Sequence, residues 1–442
     1  MKKPRRVIFL LGIPLLILLA AVIYRIPFVY DRLSWRVEDL KTRMIYFINP
    51  PDEAIFIPAG ETPLATPMII VQRDTPEPTP EASPTEETAR PTGTPLPERV
   101  MLDGIVFVHQ HERWNYCAPA NLAMALNFWG WPGDRDDIAR VVKPGVKNPD
   151  LDFIQQGRSD KNVMPSELIG FVVDHTDLNV VARFGGDFEI VKKLIASGYP
   201  VLVEKGDIRE DSSGKISWMG HYLYLTGYDD LTGEFIIQDS YQPEVAIPVK
   251  NTREDYQTLL EGWRSFNYLF MVVYPPADQE VVLGLLGDWA DPFWAYQKAL
   301  EIAEDEIQTL SGVDEFYAWF NKGTSLVKLE QYLEAGEAFD QAYQIYSGLE
   351  DNASRPYRMT WYQTTPYMAY YFSGRYQDVI NLANFTHETI ADHTLEETLY
   401  WRGLAHYALG NKTQARDDLY RSVWLNPNFE AGLIQISLLG LE

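Results

Sequence analysis

The sequence predicts an α+β domain followed by an all-α array of helix pairs, the whole carried behind one N-terminal transmembrane helix. Three observations carry that expectation. Val7 to Tyr24 is an apolar run behind the basic residues Lys2, Lys3, Arg5 and Arg6, just long enough to cross a bilayer as a helix. Between 99 and 277 helical periodicity comes first and β-rich runs afterwards, the order of an α+β domain. From 283 to 442 the pattern is helical throughout and repeats itself, as stacked helix pairs do.

Composition bounds what the chain can do. A length of 442 residues predicts two or three domains, and an apolar fraction of 46% with 13% aromatics is enough for real cores. A formal charge of −24 argues against nucleic acid, whose phosphates would be repelled over most of the surface. One cysteine excludes an intramolecular disulfide and a multi-cysteine zinc site, and the seven histidines lack HExxH-type spacing, so neither a metal nor a cofactor is expected.

At the N-terminus, 1–6 reads as a cytoplasmic tail and 7–24 as a retained signal anchor, because no small-x-small cleavage site follows the apolar run. Single-pass anchoring in the cell membrane, with the bulk of the chain extracytoplasmic, follows from the basic tail, although Arg25, Arg32, Arg36, Lys41 and Arg43 lie near the far end. The stretch 25–61 is expected to hold a juxtamembrane amphipathic helix, with Leu33, Val37, Leu40 and Met44 at helical spacing. A Pro, Thr and Glu-rich linker at 62–98, plainest at Thr75-Pro76-Glu77-Pro78-Thr79-Pro80, lacks the apolar residues needed to fold and is expected to hold the next domain away from the membrane.

The first globular domain, 99–277, is organised around Trp114-Asn115-Tyr116-Cys117-Ala118-Pro119-Ala120-Asn121. Leu122, Ala125 and Leu126 follow at helical spacing, so Cys117 opens a buried helix with Pro119 in its first turn. Free N–H groups and the positive end of the helix dipole would stabilise a thiolate there. Further helices are predicted near 132–141, 165–174 and 188–197, then strands at 201–205, 222–227, 235–238, 245–249 and 268–274. His221 stands at the start of one strand and Asp239 at the end of the next, across a short turn, so hairpin pairing would set them side by side. A cysteine, a histidine base and an orienting acid are what acyl transfer through a thioester requires. Gln110, a short loop upstream, is placed to join the Cys117 N–H as an oxyanion donor, with His109 and His111 as neighbouring alternatives. Taken singly, Cys117 and His221 also fit inert core positions, and Asp239 fits an ordinary strand-end carboxylate.

Taken together, Gln110, Asn115 to Ala120, Gly220-His221-Tyr222 with Gly227-Tyr228-Asp229, and Asp239 resemble the papain-like cysteine peptidases related to the double-glycine leader peptidases of bacteriocin export. The Gly198-to-Val203 turn and strand and the closing strand from Tyr268 to Pro275 fit the same layout. The resemblance implies hydrolysis of peptide or protein substrates, with Cys117 as nucleophile, His221 as general base, Asp239 as its orienter and Gln110 as oxyanion donor. Two positions differ. Ala118 stands where the family usually has glycine, and the spacing from Gln110 to Cys117 is one residue longer than is common.

In the C-terminal region Gly323, Tyr332, Ala335, Phe339 and Ala342 fall at tetratricopeptide-repeat spacing, as do Gly403, Gly410, Ala415 and Pro427. Tyr376, Val379 and Ala383 mark a weaker middle copy. The likeness implies a surface for a protein partner. With the first core complete by 268–274, that domain is expected to fold and cleave short peptides without the repeats. The competing functions are a peptide-binding adaptor without catalysis and a transglutaminase-like acyl transferase.

Overall fold

The computed structural model describes 95–113, 115–148, 151, 153–157, 162–210, 216–242, 249–390 and 394–441, with 55–60 and parts of 19–48. The predicted anchor 7–24 lies outside the described residues up to 18, and so does nearly all of the predicted strand 245–249 and of the linker 62–98. No described helix is long and apolar enough to cross a membrane.

The first domain is an antiparallel seven-stranded sheet between two helical layers. Its strands are β1 (Arg99–Met101), β2 (Asn179–Arg183), β3 (Val201–Glu210), β4 (Ile216–Asp229), β5 (Glu234–Gln238), β6 (Thr252–Asp255) and β7 (Phe270–Tyr274), in the order β2-β7-β3-β4-β5-β6 with β1 on β4. Alternation explains the layers. Val201, Val203, Leu223 and Leu225 pack with Ile190, Leu194 and Trp263 on one face, while Leu202, Tyr222 and Tyr224 pack with Leu122, Leu126 and Leu168 on the other, as a period of two requires. The helix Cys117–Phe128 is buried from Ala118 to Leu126. Local signals set the other helix starts. Asp134 and Asp137 form a capping box before Arg135–Val142, Asp187 caps Phe188–Ala196, and Pro165 opens Pro165–His175.

Strands β1, β2 and β6 and the helices Phe153–Gly157 and Tyr256–Arg264 are additions to the predicted elements of this domain. Strand β2 carries a single Val-Val pair between helices, and its identity comes from pairing with β7 along its whole length.

Beyond Pro276 the chain forms helix pairs: Val313–Lys328 with Tyr332–Gly348, Thr365–Phe372 with Tyr376–Glu388, and Glu396–Ala408 with Lys412–Leu425. The repeat glycines allow these close contacts. A Cβ on Gly323 would fall 2.7 Å from the Phe339 ring, and one on Gly403 would fall 2.9 Å from Leu419.

The repeats share a core with the first domain. Trp218 and Phe266 belong to the same apolar cluster as Phe316, Tyr317 and Tyr346. Arg264, 7% exposed, bonds Glu306 at 2.9 Å and Asp314 at 2.7 Å. Asn321 donates to the Arg264 carbonyl at 2.7 Å, and Gln363 to that of Ser265 at 2.7 Å. This removes the reason for expecting an independent first domain. The core is not complete by 268–274, because the burial of Trp218 and Phe266 depends on helices from after Pro276.

A second join lies upstream. Phe56, 3% exposed, is edge-on to Tyr343 with centroids 4.8 Å apart, and the Ala59 N–H donates to Asp378 at 2.8 Å. The segment 55–60 therefore rests on the repeats, so both flanks of the Pro/Thr/Glu-rich stretch are fixed to one folded body.

Candidate active site

Cys117 is half-buried at the first turn of its helix, with Pro119 in that turn, where its missing N–H costs no helical bond. The preceding loop is unusual, because Glu112 and Asn115 hold φ of 66° and 51°, a left-handed region that asparagine tolerates better than most residues. His221 lies on β4 opposite Lys205 of β3. Strand β5 pairs with β4 through Gln238 and Tyr224, which carries the next residue, Asp239, to the neighbourhood of His221. The Asp239 Oδ1 lies 2.7 Å from His221 Nε2. The Cys117 thiol and His221 share a hydrogen bond, for which Nδ1 is the remaining ring nitrogen.

The electrostatics follow from these contacts. Burial alone would push the Cys117 thiol up. The hydrogen bond and charge of His221, with backbone bonds from Tyr222 and Ala118, outweigh it and hold the thiol below its ordinary value. Burial would likewise lower the imidazole, yet the charge of Asp239 and the bonds to Asp239 and Cys117 prevail over Arg209 and push His221 up to about 9. Burial disfavours the Asp239 carboxylate, but His221 and Arg209 hold it well below the carboxylate range. A thiolate beside an imidazolium is the combination those shifts favour, and it is nucleophilic at neutral pH.

Four residues without an assigned role in the sequence hold this arrangement. Arg209 Nη2 donates to Asp239 Oδ2 at 2.8 Å, and the Tyr241 N–H donates to Oδ1 at 2.9 Å, so the carboxylate is fixed from several directions. Asn121, fully buried one turn after Cys117, donates to the carbonyls of Cys117 at 2.8 Å and Tyr222 at 2.9 Å and to Ser240 Oγ at 3.1 Å. Ser240 Oγ donates in turn to Gln110 Oε1 at 3.1 Å, and the Gln110 N–H to the Ser240 carbonyl at 2.9 Å. With its oxygen engaged, Gln110 presents its amide nitrogen as a donor. The only sequence signal for these residues was adjacency, Asn121 within the cysteine segment and Ser240 beside Asp239. Arg209 had none.

His109 and His111 are held elsewhere. Their rings are edge-on at 5.4 Å, His109 Nδ1 is 3.5 Å from Arg135, and Arg135 donates to the His111 carbonyl at 3.1 Å. Neither contact reaches β4 or β5. Among the described residues no group of acidic, histidine or cysteine side chains is arranged to hold a metal.

Glu204 adds a second buried acid near the thiol. It pairs across the sheet with Tyr222 and is 2% exposed. Burial first, and the Cys117 charge after it, push its carboxyl well above the ordinary value against the Tyr222 hydrogen bond.

Two family models match parts of the chain. Residues 102–270 match the Peptidase_C39 like family, and 316–348 match the tetratricopeptide repeat. A crystal structure from Bacillus anthracis described as C39-like is 18% identical, covering 40% of this chain and 98% of that one with a TM-score of 0.32. No curated protein matches the chain. The segment holding Cys117, His221 and Asp239 is a C39-like peptidase domain, followed in the same chain by a tetratricopeptide repeat.

Proposed function

We propose that the protein is a membrane-anchored thiol peptidase, its domains outside the cytoplasm, hydrolysing peptide bonds through Cys117, His221 and Asp239 while the repeats bind a protein partner. The observation that carries the catalytic part is the continuous path from the Cys117 thiol through His221 to Asp239, 2.7 Å from the ring. The thiolate attacks the scissile carbonyl, and the oxyanion is met by the Cys117 N–H and the Gln110 amide. The imidazolium gives its proton to the leaving amine, forming a thioester. His221, now neutral, takes a proton from water as it attacks, and the carboxylic acid leaves as the thiol is restored. Asp239 stays ionised and holds the ring.

The direct test is digestion of a peptide library by the full chain, with alkylation of Cys117 by iodoacetamide slowed in the presence of the peptides that are cleaved. Labelling without cleavage of any peptide would favour the adaptor reading.

The pH profile has a definite sign. The lowered thiol keeps its thiolate as pH falls below the ordinary thiol range, and the imidazolium is lost above about 9. Activity should therefore plateau through neutral pH, fall as the thiolate is protonated on the acid side and fall again as pH passes about 9. Asp239→Asn removes the main charge supporting the imidazolium, so the alkylation profile of Cys117 should move toward that of a free thiol, near ~8.5. An unchanged profile would detach Asp239 from the proton balance.

Gln110→Ala is expected to lower kcat by about 10²-fold, the scale of one oxyanion donor. Ser240→Ala should lower it in the same direction by less, since it only frees the Gln110 amide to turn. Unchanged kcat in both, with loss in His109→Ala or His111→Ala, would move the donor to a histidine.

The membrane reading rests on the basic and apolar sequence of 1–24. Protease added to intact cells should release the large domains, and their protection until lysis would reverse the orientation.

A further inference from the structure

The helical turn Met359–Tyr362 of the repeat region lies against both sides of the site. On the side of the Cys117 helix, Asn162, 4% exposed, donates to the Trp361 carbonyl at 2.6 Å. Its neighbour Val163 packs in the same apolar cluster as Ala118 and Leu122, and accepts from the Tyr222 hydroxyl at 3.4 Å. On the side of His221, Arg358 donates to Ser217 Oγ at 3.0 Å and to the Trp218 carbonyl at 3.4 Å, both on β4. The half-buried Tyr362 completes the bridge. Its ring is edge-on to Trp218 at 5.9 Å and to Phe266 at 6.0 Å.

Tyr362 also meets the residue immediately before His221. A Cβ on Gly220 would fall 3.1 Å from two atoms of the Tyr362 ring and 2.7 Å from Phe266, so the ring fills the space a side chain there would take. The Tyr362 hydroxyl is hydrogen-bonded to the Gly220 backbone. Burial pushes its phenol up against Arg358, and the Cys117 charge adds to that rise, which sets the phenol within electrostatic reach of the thiol.

We propose that Tyr362, supplied by the repeat region, forms a wall of the peptide cleft beside Cys117 and His221 and sets the size limit of the subsite next to the scissile bond on that side. This rests on the peptidase reading and adds a specificity-determining residue to it. The repeats then have a direct part in choosing which peptide is cut, through a ring held in place by the Asn162 and Arg358 bonds on either side of it.

The test uses the full chain and peptidyl fluoromethyl ketones that differ only in the size of the side chain at one position, alanine against tryptophan, at each of the two positions before the reactive carbon. The readout is the ratio of inactivation rates within each protein, which is independent of how reactive the thiol is. Tyr362→Ala should raise the tryptophan-to-alanine ratio at one position by at least ~10-fold, the scale on which a pocket discriminates size, and Tyr362→Leu should fall between. Circular dichroism identifies a variant that fails to fold, and Tyr362→Leu, the smaller change, then carries the test. Ratios equal to wild type in a folded variant would overturn the wall while leaving the peptidase reading in place. If wild-type Cys117 reacts with iodoacetamide and with none of the peptidyl reagents, the peptidase reading falls first and takes this inference with it.

Discussion

Replacing Cys117 by alanine is expected to lower turnover of a peptide substrate by about 10⁴-fold or more, because nucleophile, base and orienting acid act as a unit and fail together. The chain has no other cysteine, so no second thiol can stand in. The change should leave the fold intact. The site begins a helix whose next residue is a buried alanine and whose neighbours Leu122, Ala123 and Leu126 stay packed, and alanine is the best helix former. The His221 to Asp239 contact does not pass through the sulfur. Steady-state kinetics with circular dichroism on the same preparation checks both halves. Hydrolysis near the wild-type rate by a folded Cys117→Ala protein would end the thiol mechanism. His221→Ala should come close to the same loss, since it removes both the partner that lowers the thiol and the acid for the leaving amine.

The second large effect concerns the division between the two regions. A chain ending at Pro276 is expected to lose stability and to cleave short peptides at least ~10-fold more slowly, the scale of lost pocket contacts. Such a truncation exposes the ring faces of Trp218 and Phe266, each worth about 1.5–3 kcal/mol of apolar burial at most. It also removes Glu306 and Asp314 from Arg264, Asn321 from the Arg264 carbonyl and Ser325 from Asn267. Several kcal/mol is a large share of the roughly 5–15 kcal/mol that holds a domain together. Near the site, Asn162 loses its Trp361 acceptor and Gly220 loses the Tyr362 ring. Urea midpoints and hydrolysis of one short fluorogenic peptide, measured on both chains, decide the matter. An unchanged midpoint and rate would return the repeats to a role confined to partner binding.

Much of this layout was legible in the sequence because it depends on local chemistry. Apolar spacing after Cys117 marks a buried helix, and Pro119 can sit only near such a start. The turn between β4 and β5 makes them neighbours, which is enough to bring His221 and Asp239 together. The glycines at Gly323 and Gly403 record the closeness of paired helices through their missing Cβ atoms. These are relations between residues near in the chain, or repeated at a fixed period, where the pattern itself states the geometry.

The remaining contacts belong to residues whose types fit many settings. Nothing in the run Val201 to Glu210 says that Arg209 will reach Asp239, because the contact needs β3 extended along β4 for its full length. Ser240 and Asn121 read as ordinary polar residues until the helix and β5 converge and leave them fully buried with one set of partners. Phe56, Trp218 and Phe266 show by their size that they will be buried, and their sequence does not say against what. Hydrophobic periodicity reports which face leaves water and carries no information on the partner that covers it. The packing of the repeats across β4, and with it the placement of Tyr362 beside Gly220, was therefore set by the assembled cores of two regions, each of which completes the other.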